Sequence, residues 1–123
     1  MKRIVLTSLL ASAAALALMA DDPSLTGKWQ VHTSIAGTEH DQSCSFTQKG
    51  EDLTGTCVSE TGTVNITGKV NGTKVSWSYK SEYNGSPLTV AHDGVVSSGT
   101  KITGSVSVPE FSVEGDFTAT QSK

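Results

Sequence analysis

Two cysteines, three histidines and two tryptophans carry most of the chemistry this chain could do, and their spacing narrows it. Cys44 and Cys57 are an even pair without a Cys-x-x-Cys, so a disulfide is the leading reading and metal or redox chemistry the weaker one. His32 lies near Glu39-His40-Asp41, which together offer metal-type ligand atoms. Their spacing matches no recognised site, so solvated loop residues are expected there, with no metal and no other cofactor. No Gly-x-Ser-x-Gly and no His-Glu-x-x-His occurs, and no repeated carboxylate pair faces inward, so the chain is expected not to be an enzyme. Asn65, Asn71 and Asn84 begin glycosylation triplets, which matter only in a host that glycosylates.

The elements that must position these residues begin after residue 20. Lys2 and Arg3, a Leu/Ala-rich run and the small-residue ending "ALALMA" make the first twenty residues a signal peptide, cleaved after Ala20 or Ala17. The run is too short to anchor a spanning helix, so residues 21–123 are expected to form a single exported domain, periplasmic or extracellular, without membrane insertion. Without Lys2 and Arg3 the nine basic side chains fall to seven against twelve acidic ones, and no arginine remains. That balance argues against nucleic acid and anionic membranes, which need clustered basic charge.

From residue 24 onward Thr, Ser, Val and Gly dominate, and apolar residues alternate with polar ones, the period of a half-buried strand. Turn signals fall at Ala36-Gly37, Gly50-Glu51, Thr61-Gly62, Asn71-Gly72, Asn84-Gly85, residues 97–100 and Pro109-Glu110; seven turns make eight strands. A two-residue turn fixes which residues face each other across a hairpin. Gly50-Glu51 puts Cys44 opposite Cys57 at a non-hydrogen-bonded position, where α-carbons are ~4.5 Å apart and a disulfide closes. Continued from hairpin to hairpin, the same argument aligns Trp29, Cys44, Cys57, Ile66, Trp77, His92, Val106 and Val113 on one inward row. Cys57 could face Val64 instead of Ile66 without changing faces, and an odd-length loop with a bulge is expected between residues 97 and 101. A second inward row is made almost entirely of glycine, at positions 27, 55, 68, 94, 104 and 115, where barrel shear should draw it into a spiral. Eight strands, one buried face and consecutive hairpins predict an all-β, antiparallel up-and-down barrel, or meander, with a two-sheet sandwich as the alternative.

"SLTGKW" at 24–29 followed by "GEDLTGTC" at 50–57 resembles the first and third strands of the avidin and streptavidin family, and Gly27-x-Trp29 is similar to the lipocalin opening. The resemblance implies an eight-stranded barrel binding a small molecule at its open end, biotin in the avidins. The biotin-site residues are not retained: Val31 stands where the avidin pattern has asparagine and Cys57 where it has tyrosine, although Ser59 matches a hydroxyl position. The arginine that accompanies the lipocalin tryptophan is also missing. A further similarity is to small exported barrels that inhibit metalloproteases, whose inhibitory segment would correspond to residues around Asp21 to Ser24. It makes a protease a candidate protein partner.

The expected site lies at one end of the barrel, where Gln42, Ser59, Tyr79 and His92 converge over Trp29 and Trp77. Such a set suits a small amphipathic or aromatic ligand. The competing expectations are a neutral His92 bonded within a filled core, and a barrel that acts through protein contacts or is purely structural. Nothing in the chain specifies the oligomeric state.

Overall fold

The computed structural model describes residues 24–122. The expected signal peptide, 1–20, and most of the Asp21–Ser24 segment lie outside the described residues. Strands β1 (Gly27–Ile35), β2 (Thr38–Lys49), β3 (Asp52–Ser59), β4 (Gly62–Asn71), β5 (Lys74–Tyr83), β6 (Ser86–Ser98), β7 (Lys101–Val108) and β8 (Val113–Gln121) follow one another around a closed barrel. Each pairs antiparallel with the next, and β8 returns to β1. A 3-10 turn, Pro109–Phe111, joins β7 to β8. Closure is the physical outcome of the alternating pattern: eight strands with one apolar face can bury it by curling round a common core, which also removes the sheet edges.

The faces are as expected, and four registers hold: Trp29 faces Cys44, Cys44 faces Cys57, Trp77 faces His92 and His92 faces Val106. The irregularity expected in the β6–β7 hairpin falls between Val96 and Ser98. One hairpin takes the second of its two expected registers, and two others differ by two residues. Cys57 faces Val64, because the turn is Glu60-Thr61 and not Thr61-Gly62. Trp77 faces Gly68 and not Ile66, because the turn is Gly72-Thr73; only Gly72 takes positive φ (63°), which suits a glycine-first turn better than the Asn-Gly turn expected. Val106 faces Gly115 and not Val113, because Pro109–Ser112 is spent on the 3-10 turn and its left-handed end at Ser112.

The corrected registers explain the glycines. Phe46 lies opposite Gly55, Trp77 opposite Gly68 and Phe117 opposite Gly104, so each large ring folds over a partner without a side chain. A Cβ at Gly68 would strike the Ser76 carbonyl and the Trp77 backbone, and one at Gly104 the Asp93 carbonyl and Gly94. These strands therefore coil more tightly than any other residue would permit. The row is a spiral: Gly27 starts β1, whereas Gly115 faces Ile35 at the far end of the same strand.

One end of the barrel is sealed. Leu25, Leu53, Val70, Val75, Ile102, Phe117 and Ala119 are buried there in one cluster with the central Trp29, Phe46, Ile66 and Trp77. The Trp29 indole N–H donates to the Leu25 carbonyl at 2.8 Å, and the Leu25 N–H donates to Gln48 Oε1 at 2.9 Å, so the incoming chain is latched across the opening. The disulfide Cys44–Cys57, Cα–Cα 4.0 Å, staples β2 to β3 within the same cluster. A bond of this kind persists in oxidising compartments outside the cytoplasm.

The other end is parted. β4 and β5 each run ten residues, but their ladder covers only Thr67–Asn71 against Lys74–Ser78. Above Thr67 and Ser78 the two strands separate, while β5 and β6 stay paired to the tip of their own hairpin at Tyr83–Ser86. The β6–β7 ladder likewise starts only at Ala91. The β5–β6 hairpin is thus an arm rising from the rim, with Leu88, Val106 and Val108 buried outside the main cluster.

Candidate functional site

β5 and β6 bring three of the expected site residues together. Trp77 and His92 stack nearly parallel, ring centroids 4.7 Å apart and planes 9° from parallel. Phe117 meets both rings edge-on at 5.2 and 4.9 Å, and Tyr79 leans on His92 at 6.2 Å. His92 is 2 % exposed. Burial pushes its pKa down to about 4, so the ring is neutral at physiological pH. Its two nitrogens and the Trp77 indole N–H are buried with no hydrogen-bond partner among the described residues. The expected histidine bonded within the core is therefore only half right: His92 is buried and neutral, but held by stacking. Leaving such groups unpaired costs about 1–3 kcal/mol each in general, so stacking and the surrounding apolar burial must offset it.

Nearer the rim, the Gln42 amide donates to the Tyr79 hydroxyl at 3.4 Å, a long bond across the mouth. Burial raises the Tyr79 pKa, and the Gln42 bond opposes that shift. Ser59 shares a 3.0 Å bond with the Thr61 hydroxyl in its own turn and makes none to Gln42 or Tyr79 among the described residues. Trp29 is set apart on the sealed side, with Phe46 between it and Trp77 at 6.1 and 5.1 Å. Of the six residues, then, Trp77, Tyr79 and His92 form one group that Gln42 touches, Ser59 is bonded within its own turn, and Trp29 belongs to the latch.

Two clefts, about 410 and 460 Å³, open on the outer wall. Neither is lined by Gln42, Ser59, Tyr79 or Trp29. The first runs across β4 to β8, where the outward residues are small: Thr67, Ser76, Ser78, Ala91, Ser105 and Ser107, with Asp93 and Glu114 among them. The polar alternation by itself predicts only a wet surface for this face. The signal that marks it is the serine alternation in "VSWSY" and "GSVSV", which puts small side chains on the outward face of β5 and β7. Hydroxyls and two carboxylates there can hydrogen-bond a polar group.

The His32 neighbourhood is an exposed cross-strand cluster. Its Nε2 lies 2.5 Å from Glu39 Oε1 and its Nδ1 2.6 Å from Asp41 Oδ1, and Ser34 donates to Glu39 at 2.8 Å. Hydrogen bonds to Asp41 and then Glu39 raise the His32 pKa; bonds from Ser34 and then His32 lower that of Glu39. His40 takes no part, and among the described residues no group of three or more His, Cys, Asp or Glu side chains is arranged to hold a metal ion.

No protein-family model matches the chain, and no curated protein sequence matches it. Among solved structures it is similar to a chain described as a redesigned β-barrel, with a TM-score of 0.63 and 15 % identity over 80 % of this chain and 92 % of that one. That likeness supports the barrel fold alone. Membership of the avidin or lipocalin families is not among these matches.

Proposed function

We propose that this protein is a non-enzymatic binding barrel of the periplasm or the extracellular space, acting at its parted end through contacts with another polypeptide. The observation that supports this reading most strongly is the contrast between a filled middle and an unfinished rim. Phe46, Trp77, His92 and Phe117 occupy the centre of the barrel, while the β4–β5 ladder stops at Thr67 and Ser78. A ligand enclosed as in the avidins or lipocalins would have to displace that stack. A polypeptide engaging the rim leaves it in place. The acidic balance suits neither nucleic acid nor anionic lipid, and the polar outward face is the reverse of the apolar band that a membrane barrel presents.

A second reading is a small amphipathic or aromatic ligand held at the rim by Gln42, Tyr79 and Ser59. The long Gln42–Tyr79 bond favours it, because a ligand can replace that bond at little cost. Native mass spectrometry of the protein exported by its own host separates the two. A polypeptide adduct lost on truncating Tyr79 supports the first reading, and a small-molecule adduct supports the second. The free mass alone, with no partner captured from the host's exported proteins, contradicts both and leaves a purely structural barrel.

A further inference from the structure

The arm that rises from the rim has two edges, and they are treated differently. The pair next to the Asn84-Gly85 turn, Tyr83–Ser86, is hydrogen-bonded in a turn of this type, with φ positive at both Asn84 and Gly85. Odd-numbered residues of β5 therefore bond to β6, and even-numbered ones turn their main-chain groups away from it. On β6 the outward edge is blunted. Pro87 has no N–H to offer, and the Thr89 N–H donates to Glu110 Oε1 at 2.9 Å. On β5 the outward groups of Lys80 and Glu82 lie beyond the end of the β4 ladder, with no proline and no covering carboxylate. Beside them Tyr83 is 62 % exposed, its ring edge-to-face with the half-exposed Phe111 at 6.0 Å.

We propose that this β5 edge pairs with the same edge of a second copy of the chain, antiparallel about a two-fold axis at Ser81. An edge bearing a lone lysine repels its own copy; Lys-x-Glu does the opposite. With Ser81 facing its counterpart, Lys80 falls opposite the second copy's Glu82, and Glu82 opposite its Lys80. Both are hydrogen-bonded pairs, because these are the residues whose main-chain groups face outward. Tyr83 then lies opposite the second copy's Tyr79, on the face that points into the barrel, and covers the mouth above it. The contact is isologous and closes at two copies. It goes beyond the reading of the rim as a recognition surface and shares with it only the parted end.

Sedimentation equilibrium of the mature, oxidised protein over a wide concentration range tests it. The wild type is expected to show a reversible monomer–dimer equilibrium that weakens with salt. Lys80→Glu and Glu82→Lys each set two like-charged pairs face to face and should weaken association by about tenfold or more. Mixing the two variants in equal amounts brings opposite charges together again and should restore wild-type association as a heterodimer. Glu82→Pro, which removes an outward N–H, should abolish it. A wild type that stays monomeric at every concentration, or a mixture no stronger than its separate components, overturns the inference. A monomer that still carries a polypeptide adduct from its host overturns it while leaving the rim reading intact.

Discussion

Trp29 and Trp77 are equally buried, at 1 % exposure, and share one core cluster, yet their polar atoms are treated in opposite ways. The Trp29 N–H is satisfied by the Leu25 carbonyl, within a plug where Leu25, Leu53 and Ile102 close the opening. The Trp77 N–H has no partner among the described residues, and neither nitrogen of the histidine stacked on it has one. A division between the two ends runs through the backbone: β4 and β5 are paired towards the sealed end, while beyond Thr67 and Ser78 they part, and at that same end Ala36 is held at a φ of 51° that disfavours a residue with a side chain. The sealed half obeys the rules of packing and polar satisfaction. The parted half breaks several of them at once, which is where natural folds place the surfaces they use.

The comparison can be broken most severely by side-chain truncation. Trp77→Ala should cost about 3–5 kcal/mol in denaturant unfolding, whereas Tyr83→Ala on the arm should cost less than about 0.5 kcal/mol. Comparable losses would mean that the arm is as much a part of the core as the stack. Reducing the Cys44–Cys57 bond, or replacing both cysteines by alanine, should lower stability by about 3 kcal/mol, since the bridge closes a loop spanning 13 positions of the unfolded chain. An unchanged melting temperature would show that the sealed half does not need its staple.

His92 gives a sharper test because its sign depends on pH. Its folded pKa of about 4 lies below the ordinary 6.5, so acid protonates the unfolded chain first. Its contribution is complete above pH 6.5 and is lost as the pH falls towards 4, by about 3 kcal/mol. His92→Phe should remove that loss and, by deleting two unpaired nitrogens, should stabilise the protein at pH 7 by about 1–3 kcal/mol. His32 contributes with the opposite sign. Its raised pKa adds stability as the pH falls through the folded value, and it cancels when wild type and His92→Phe are compared. A modest gain is expected at Ala36, where Ala36→Asn should add roughly 0.5–1 kcal/mol by easing a left-handed turn position.

Much of this was legible in the sequence because a period of two and a constant hairpin pairing are strong constraints. They placed every inward face, the disulfide and the Trp77–His92 pair. Slips of two residues were not legible, because they leave all faces unchanged. Only the approach of a ring over a bare backbone decides between Gly68 and Ile66 opposite Trp77, and alternation carries no trace of it. For the candidate site residues, the sequence carried the face each occupies but not their arrangement. Nothing in the pattern says that Phe46 stands between Trp29 and Trp77, or that a ladder ends half-way along two strands. The outer cleft escaped because the small outward residues that line it, Thr67, Ser76, Ser78 and Ser105 among them, read in the sequence as ordinary wet surface.

Residue-resolved amide hydrogen exchange tests the two-ended barrel most directly, in dilute solution where chains do not meet. The hairpin pattern turns the Thr63, Asn65, Lys80 and Glu82 N–H groups into the gap, and the Lys69 and Ser76 N–H groups into the intact β4–β5 ladder. The first four should exchange with little protection and the last two only on global unfolding, several orders of magnitude more slowly. Equal protection of both sets would mean that β4 and β5 remain paired to their tips, and the parted end would not exist.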